Sequence, residues 1–213
     1  MSGRGELIRG FYAVIDTAYL LPDELSLAAS SLLKGGAQVI QLRAKGLGGR
    51  ELLSAAIEIR RLAASYNAVF IVNDRVDIAL LSGADGVHLG QDDIPPREAR
   101  KALGAGAIIG LSTHNAGEAK EAISRGADYI SFGPVFATAT KKDAETPKGL
   151  QALRKARGMT SLPIVAIGGI TEDNMGEVLA SGATAVAMIS EVLLSADPCK
   201  KTASIISKIN PSC

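Results

Sequence analysis

Four stretches of the chain share one pattern, in which a glycine and an alanine are followed by an apolar run. They are GAQVIQL from Gly36, GADGVHL from Gly83, GADYISF from Gly126 and GATAVAM from Gly182. Each stretch follows a segment with helical periodicity. We therefore predict that the glycine ends the helix in the left-handed conformation and that the apolar run forms a buried strand.

Four further apolar runs lie between these junctions and precede helical patterns: FYAVID (11–16), VFIVND (69–74), AIIGLS (107–112) and PIVAIGG (163–169). The predicted strands then begin near residues 11, 38, 69, 86, 107, 129, 163 and 184, with the glycine pattern on the even-numbered ones. Nearly continuous apolar strands that alternate with helices indicate a parallel sheet covered on both faces.

Eight such units in 213 residues predict an α/β fold, a closed (β/α)₈ TIM barrel that forms one domain over 1–213. An open, doubly wound sheet is the alternative. It explains the glycine pattern less well, because alternate strands of a closed barrel fill alternate interior layers and so meet similar packing demands. No linker or change in composition indicates a second domain.

Composition limits the partners. The chain has 23 basic and 22 acidic residues, so its charge balance predicts no binding to nucleic acid or to an anionic membrane. Cys199 and Cys213 lack the spacing of a metal site or a disulfide framework. No apolar run approaches the roughly 18 residues of a membrane helix, and the N-terminus lacks the apolar segment of a secretion signal. We expect a soluble, cytoplasmic protein.

Polar residues follow most of the predicted strands. Because the active site of a (β/α)₈ barrel lies at the carboxyl ends of its strands, these side chains are expected to converge. They include Asp16, Gln41, Arg43, Lys45, Asn73, Asp74, Asp93, Ser112 and His114.

The loops after strands 7 and 8 predict one anion site, since barrels commonly bind phosphate there. AIGGIT supplies backbone N–H groups around Gly168 and Gly169, and MISE supplies Ser190 and its neighbouring amides. Thr171 is expected to cap the helix that follows strand 7.

A second anion site is predicted from Arg43 and Lys45 on strand 2 together with Lys141. Lys141 lies in the polar stretch 133–147, and a connection of this length is usually either functional or disordered. Asp74 and Asp93 stand beside these cations. Because Mg²⁺ binds through one or two carboxylates and phosphate oxygens, the set favours Mg²⁺ and a pyrophosphate.

The two histidines are not predicted to form a metal pair. His88 lies inside a strand and is expected to be a packed residue, whereas His114 at a strand end is expected to form hydrogen bonds.

Seven motifs give the chain a resemblance to the thiamine phosphate synthase family along nearly its whole length. They are QLRAKG (41–46), VNDRVDIAL (72–80), GVHLGQDDIP (86–95), GLSTHN (110–115), GPVFATATKKD (133–143), AIGGIT (166–171) and AMIS (187–190). At Ala137 and Ala139 the resemblance would lead us to expect proline, so the chain departs from the pattern at these two positions.

The resemblance implies a (β/α)₈ barrel that joins hydroxymethylpyrimidine pyrophosphate to hydroxyethylthiazole phosphate with Mg²⁺ and releases pyrophosphate. It implies that Arg43, Lys45, Asn73 and Lys141 bind the pyrophosphate, that Asp74 and Asp93 bind the metal, and that Gln41 and Ser112 contact the pyrimidine. It also implies that Thr138 and Thr140, with the amides at Gly169, Ile189 and Ser190, hold the thiazole phosphate. The stretch 133–147 would be a lid that brings Lys141 onto the substrates.

Three other functions remain open from the sequence. A thiazole tautomerase is a related barrel that needs neither pyrophosphate nor magnesium, and His114 could serve it as an acid or base. A non-catalytic binding protein of the same pathway would keep the phosphate sites. A sugar isomerase would need a catalytic acid and base at strand ends and does not explain the paired Arg43 and Lys45. The sequence does not determine whether the protein is a homo-oligomer.

Overall fold

The computed structural model describes residues 4–138 and 146–210. Eight strands begin within one residue of the predicted positions. They are β1 (Gly10–Asp16), β2 (Val39–Arg43), β3 (Val69–Asn73), β4 (Gly86–Leu89), β5 (Ile108–Thr113), β6 (Tyr129–Phe132), β7 (Ile164–Ile167) and β8 (Ala185–Met188).

Helices separate the strands, and two short 3₁₀ segments lie at Arg4–Leu7 and Pro22–Glu24. Within residues 4–138 and 146–210, none of the helices combines the length and apolar character needed to span a membrane. The α-helices are α1 (Leu25–Lys34), α2 (Gly49–Ser65), α3 (Val76–Ser82), α4 (Pro96–Leu103), α5 (Ala116–Arg125), α6 (Gly149–Met159), α7 (Met175–Ala180), α8 (Ser190–Leu193) and α9 (Pro198–Ile209).

The sheet closes on itself as a barrel in the order β1 to β8. β1 pairs in parallel with β2 on one side and with β8 on the other. The predicted (β/α)₈ fold is therefore confirmed, and the alternative of an open doubly wound sheet is wrong.

The four predicted junction glycines all adopt positive φ angles: 96° at Gly36, 67° at Gly83, 93° at Gly126 and 104° at Gly182. A residue with a Cβ atom is strained in this region, whereas glycine enters it freely. Each glycine turns the chain from the end of a helix into the next even-numbered strand. The repeated pattern thus marks a backbone requirement of the fold.

The buried side chains form two shells. Alternate side chains of a strand point to opposite faces, so one set packs under the helices and the other fills the barrel. The barrel interior contains the apolar side chains of Val14, Val39, Ile71, Ile108 and Val165 along with two tyrosines. At the carboxyl ends of the strands the inward positions become polar, and this change places the functional site.

The helix after strand 7 begins later than predicted. Thr171 is not its N-cap, because α7 begins at Met175 and Asn174 occupies the cap position. Thr171 and Asn174 instead close a turn: the Thr171 N–H donates to Asn174 Oδ1 over 2.9 Å, and the Asn174 N–H donates to Thr171 Oγ1 over 3.4 Å. This turn uses the polar groups that would have started the helix.

Candidate active site at the carboxyl ends of the strands

Two cavities open side by side at the carboxyl ends of the strands. The larger, of about 230 Å³, is lined mainly by the ends of β5 to β8 and by the loops that follow them. The smaller, of about 60 Å³, reaches into the barrel mouth towards β1 to β4. They share the walls formed by Ser112, Ser131, Ile167, Ala187 and Ile189.

Eight of the predicted substrate-binding residues line one or both of these cavities. Gln41, Arg43, Asn73 and Ser112 line the smaller one, whereas Ser112, Thr138, Gly169, Ile189 and Ser190 line the larger one. An open depression of about 770 Å³ lies at the opposite end of the barrel, and its walls contain none of the predicted site residues. The structure therefore brings those predicted residues that it describes together at one end of the barrel.

Arg43 is held in place by a buried carboxylate. Its Nη1 atom lies 2.7 Å from Oδ2 of Asp16, whose side chain is only 1% exposed. The other oxygen, Oδ1, accepts a hydrogen bond from the Ala18 N–H over 2.9 Å. Both carboxylate oxygens are thus engaged, and the guanidinium is fixed at the mouth of the smaller cavity. The sequence placed Asp16 at a strand end but did not predict this role.

Lys45, Asp74 and Asp93 meet at the rim beside Arg43. The Nζ atom of Lys45 lies 3.3 Å from Oδ2 of Asp74. Burial and the charge of the neighbouring Asp93 raise the pKa of Asp74, and Lys45 opposes this rise. Two neighbouring, partly buried carboxylates repel each other, and a bound cation would offset this repulsion.

The choice of Asp93 over its neighbour has a structural basis. Asp93 is partly buried beside Asp74, and its Oδ2 atom accepts a 2.6 Å hydrogen bond from the Gly90 N–H. Asp92, by contrast, is exposed. The turn after β4 therefore directs Asp93, and not Asp92, towards the rim.

The pair fits the ligand requirements of Mg²⁺, which retains several waters and needs only one or two carboxylates together with phosphate oxygens. Within the described part of the chain, no three His, Cys, Asp or Glu side chains assemble as a metal site. Two neighbouring carboxylates beside the smaller cavity suit an ion that completes its coordination shell with phosphate oxygens and water.

The β7 loop forms one wall of the larger cavity and packs tightly against the start of the 133–147 stretch. The N–H groups of Val135 and Phe136 each donate over 2.9 Å, to the carbonyls of Ile167 and Gly168 respectively. Gly169 has a φ of 63°, and a Cβ atom there would lie 2.4 Å from the Ala137 carbonyl oxygen. The glycine pair therefore lets two loops approach within backbone contact.

The remaining predicted residues of this stretch, Thr140 and Lys141, lie outside the described residues. Thr138, which is described, lines the larger cavity. His114 also lines it, and its Nδ1 atom lies 3.1 Å from Oε2 of Glu118 on α5. This contact agrees with the prediction that His114 forms hydrogen bonds.

The sequence did not predict the polar side chains that lie beneath the smaller cavity. Tyr12, His88, Tyr129 and Ser131 line it from three different strands, β1, β4 and β6. His88 is buried as expected, but it is hydrogen-bonded within this group and does not pack as an apolar residue would. A signal was present in β1, where Tyr12, Val14 and Asp16 alternate with outward-facing residues.

The barrel and its two adjoining cavities together define a TIM-barrel enzyme with a small-molecule site at the carboxyl face of the sheet. Comparison with known proteins narrows this class. Residues 11–192 match the family described as thiamine monophosphate synthase. The chain belongs to that family.

Individual relatives agree with the family match. A thiamine-phosphate synthase from Methanoculleus marisnigri is 52% identical over 159 residues, which are 75% of each chain. One from Chlorobium phaeobacteroides is 50% identical over 177 residues, 83% of this chain and 84% of the relative. The solved structure of thiamine phosphate pyrophosphorylase from Pyrococcus furiosus superposes with a TM-score of 0.83 at 38% identity, covering 94% of this chain and 96% of that one.

Proposed function

We propose that the protein condenses hydroxymethylpyrimidine pyrophosphate with hydroxyethylthiazole phosphate to form thiamine phosphate and pyrophosphate. The chain is a transferase of the family identified above, and the observation that carries the substrate assignment is the pair of adjoining cavities. One cavity has a cationic, carboxylate-bearing rim, and the other is walled by the β7 and β8 loops. Two anionic substrates can therefore bind next to each other.

The smaller cavity is assigned to the pyrimidine and its pyrophosphate. Gln41 and Ser112 lie in its walls and can hydrogen-bond the ring, while Arg43 and Asn73 lie towards the rim. Arg43, Lys45, Asn73 and Lys141 would hold the pyrophosphate. The Asp16 carboxylate orients Arg43 before substrate arrives, which reduces the conformational freedom lost on binding.

Asp74 and Asp93 would hold Mg²⁺ against the pyrophosphate. When bound, the ion would neutralise charge on the phosphate oxygens. The proximity of the two carboxylates and the raised pKa of Asp74 support this assignment.

The reaction needs stabilisation of the leaving group more than it needs a general base. The bond between the pyrimidine methylene carbon and the pyrophosphate oxygen breaks, and its electron pair leaves with the oxygen. Arg43, Lys45 and Lys141 would stabilise the charge that develops there. The lone pair of the thiazole nitrogen then forms the new C–N bond, so no proton has to be removed.

The larger cavity is assigned to the thiazole phosphate. Gly169, Ile189 and Ser190 line it on the side of the β7 and β8 loops, and Thr138 lines it from the opposite side. Thr138 and Thr140 would contact the phosphate together with the backbone amides of those loops. The shared wall at Ser112 and Ile189 would keep the thiazole nitrogen next to the pyrimidine methylene, as capture of a short-lived cation requires.

The stretch 133–147 is proposed to close over both substrates and exclude water. Its first residues are tied to the β7 loop, so movement of the later residues would start from a fixed base. Closure would bring Lys141 to the pyrophosphate and the threonines to the thiazole phosphate.

The test is pyrophosphate release by the purified protein with both substrates, each substrate alone, and with or without Mg²⁺. We expect release only when both substrates and Mg²⁺ are present. Asp93→Ala should lower the rate on the order of a hundredfold, because it removes a metal ligand. Asp92→Ala is the matched control, since it removes an exposed carboxylate from the adjacent position, and it should retain nearly full activity.

Two results would overturn this proposal. Rearrangement of a thiazole carboxylate phosphate without pyrophosphate release would indicate a tautomerase, and tight substrate binding without turnover would indicate a binding protein. Cytoplasmic location stays a prediction.

A further inference from the structure

A continuous chain of buried polar side chains crosses the barrel beneath the smaller cavity. The Nε2 atom of Gln41 donates to the Tyr12 hydroxyl over 2.9 Å, and the hydroxyls of Tyr12 and Tyr129 lie 2.8 Å apart. The Tyr129 hydroxyl lies 3.0 Å from Nδ1 of His88. On the far side of the ring, Nε2 of His88 lies 3.1 Å from Ser112 Oγ and 3.2 Å from Ser131 Oγ.

The two phenols stay protonated, because burial raises the pKa of both Tyr12 and Tyr129 above its ordinary value. A neutral phenol has one proton to donate. Each hydroxyl can therefore donate one bond and accept another, and the hydrogen bonds along the chain have to point the same way. The donor-to-acceptor direction of the hydrogen bond at one end of the chain then determines the direction at the other end.

The Gln41 end sets this direction. Because Gln41 donates to the Tyr12 oxygen, Tyr12 can donate to Tyr129, and Tyr129 can donate to Nδ1 of His88. If Tyr129 donated to Tyr12 instead, the buried Tyr12 proton would have to find another acceptor, and a buried donor without an acceptor is strongly unfavourable. With Nδ1 as the acceptor, neutral His88 carries its proton on Nε2 and donates to the serines.

Gly110 on β5 shows that the fold reserves space for this chain. A Cβ atom at Gly110 would lie 2.3 Å from Nδ1 of His88 and 2.5 Å from the Tyr129 hydroxyl. Such distances are far below van der Waals contact, so any side chain here would push the two groups apart. The His88–Tyr129 contact therefore requires glycine at this strand position for steric reasons.

We infer that Tyr12 and Tyr129 are positioning residues that couple the orientation of the Gln41 amide to a proton on Nε2 of His88, so that Gln41 is held as an acceptor and Ser112 as a donor for an aminopyrimidine. The inference rests on the proposed function. Gln41 uses its amide nitrogen on Tyr12 and leaves Oε1 for the exocyclic amine of the ligand. Ser112 accepts from His88, so its own hydroxyl proton is directed to a ring nitrogen.

The chain of hydrogen bonds would then determine ligand selectivity as well as stabilise the barrel. A ring that presents a carbonyl in place of the amine would meet the Gln41 oxygen with another oxygen. Reversing Gln41 to suit that ring would require every proton of the buried chain to reverse. An aminopyrimidine should therefore be preferred over the corresponding hydroxypyrimidine.

Nitrogen-15 NMR of the histidine rings tests the inference in the full-length protein at about pH 8.5, where imidazole is neutral. The chain has two histidines, and His114→Gln assigns the signals. We expect Nε2 of His88 to have the chemical shift of a protonated nitrogen. We expect Nδ1 to have the chemical shift of a nitrogen that accepts a hydrogen bond. In Tyr129→Phe, Nδ1 should move to the position of a nitrogen that accepts no bond. Tyr66→Phe, which removes a phenol hydroxyl from an exposed residue, should leave it unchanged.

Steady-state kinetics link this signal to the site. Tyr129→Phe should raise KM for the pyrimidine substrate roughly three- to tenfold, the effect of one lost neutral hydrogen bond, while KM for the thiazole phosphate stays the same. Tyr12→Phe should also raise KM for the pyrimidine substrate, because it removes the hydrogen bond between Tyr12 and Gln41. The chemical shift of His88 Nδ1 should change less than in Tyr129→Phe.

A wild-type proton on Nδ1, or an Nδ1 signal that Tyr129→Phe leaves unchanged, would overturn the inference. So would an equal rise in both KM values, which would indicate general loosening of the barrel. The NMR signals require no turnover. A wild-type protein that lacks synthase activity would therefore contradict the proposed function, without being mistaken for a failure of the hydrogen-bond chain.

Discussion

Asp74 combines an unfavourable backbone conformation with a proposed role in metal binding. Its φ angle is 61°, in the left-handed region that residues with a Cβ atom seldom occupy. The Asp74 N–H donates to the His88 carbonyl over 2.8 Å, which continues the β3–β4 pairing beyond the end of the strand. The backbone cost at this residue accompanies the placement of its carboxylate beside Lys45 and Asp93.

Replacement of Asp74 by glycine and by alanine separates these two effects. Both changes remove the carboxylate, so both should abolish most of the Mg²⁺-dependent activity. Asp74→Gly also relieves the backbone, and its free energy of unfolding should exceed that of Asp74→Ala by about 1 kcal/mol. Urea unfolding of the two variants measures the difference. Equal stability would show that the positive φ angle carries no cost at this position.

Among the secondary-structure elements, α9 forms ion pairs with the loops that line the larger cavity. The Nζ atom of Lys201 lies 2.8 Å from Glu172, after β7, and 2.6 Å from Glu191, after β8. Lys208, about two turns further along α9, reaches Glu172 over 2.7 Å. The carboxylate of Glu172 also accepts a hydrogen bond from Ser204. The C-terminal helix thus holds both loops of the proposed phosphate site.

The hydrogen bonds from Lys201, Lys208 and Ser204 lower the pKa of Glu172 from 4.5 to about 2. Because the folded-state pKa is depressed, the stabilisation is complete above about pH 4.5 and is lost as the pH falls towards 2. Glu172→Gln should remove about 1 kcal/mol at neutral pH and flatten the stability curve between these values. The stabilisation is modest because the lysines are partly exposed.

Thermal unfolding from pH 2 to pH 7 measures the contribution of Glu172, with Glu177→Gln as the control. Glu177 is an exposed carboxylate on the adjacent α7, and its removal should leave the acid limb of the curve as steep as in the wild type. If the stability of Glu172→Gln fell as steeply at acidic pH as that of the wild type, this would contradict the proposed stabilising contacts between α9 and the β7 loop.

The 133–147 stretch is the second element with a specific prediction. Its described start packs on the β7 loop, and Lys141 is proposed to reach the pyrophosphate when the stretch closes. Lys141→Ala should lower kcat on the order of a hundredfold, as expected for loss of a charge that stabilises the leaving group. Lys142→Ala is the matched control and should have a small effect. A larger loss in Lys142→Ala would transfer the role to that residue.

For the molecule as a whole, ligands should stabilise the barrel through the rim that joins β2, β3 and β4. Pyrophosphate and Mg²⁺ at about a hundred times their dissociation constant should add about 2.7 kcal/mol to the free energy of unfolding. For a domain of this size, that corresponds to a rise in Tm of roughly 5–10 °C.

Scanning calorimetry with pyrophosphate alone, and then with Mg²⁺ added, measures this stabilisation. The Mg²⁺-dependent part of the rise should disappear in Asp93→Ala and persist in Asp92→Ala. The same rise in all three proteins would place the metal elsewhere or on the pyrophosphate alone.

Local signals in the chain were sufficient to predict the fold and half of the site. The junction glycines, the apolar strands and the polar strand ends each depend on residues close together in sequence, and the structure confirms the closed barrel and the convergence of Gln41, Arg43, Asn73 and Ser112. The predicted helix start after β7 was wrong, because a threonine can close a turn as readily as it caps a helix.

Only the tertiary structure decided which side chains on different strands contact one another. Asp16 meets Arg43, and Asp74 meets Asp93, because parallel pairing aligns the ends of neighbouring strands. The contact of Tyr12 with Tyr129 joins strands that are not neighbours in the sheet and forms across the interior of the closed barrel. A side chain's direction into the barrel can be predicted from the period of its strand, but its partner depends on which strands become neighbours and in what register. The sequence alone therefore determined where the site lies, and barrel closure determined which side chains act on one another within it.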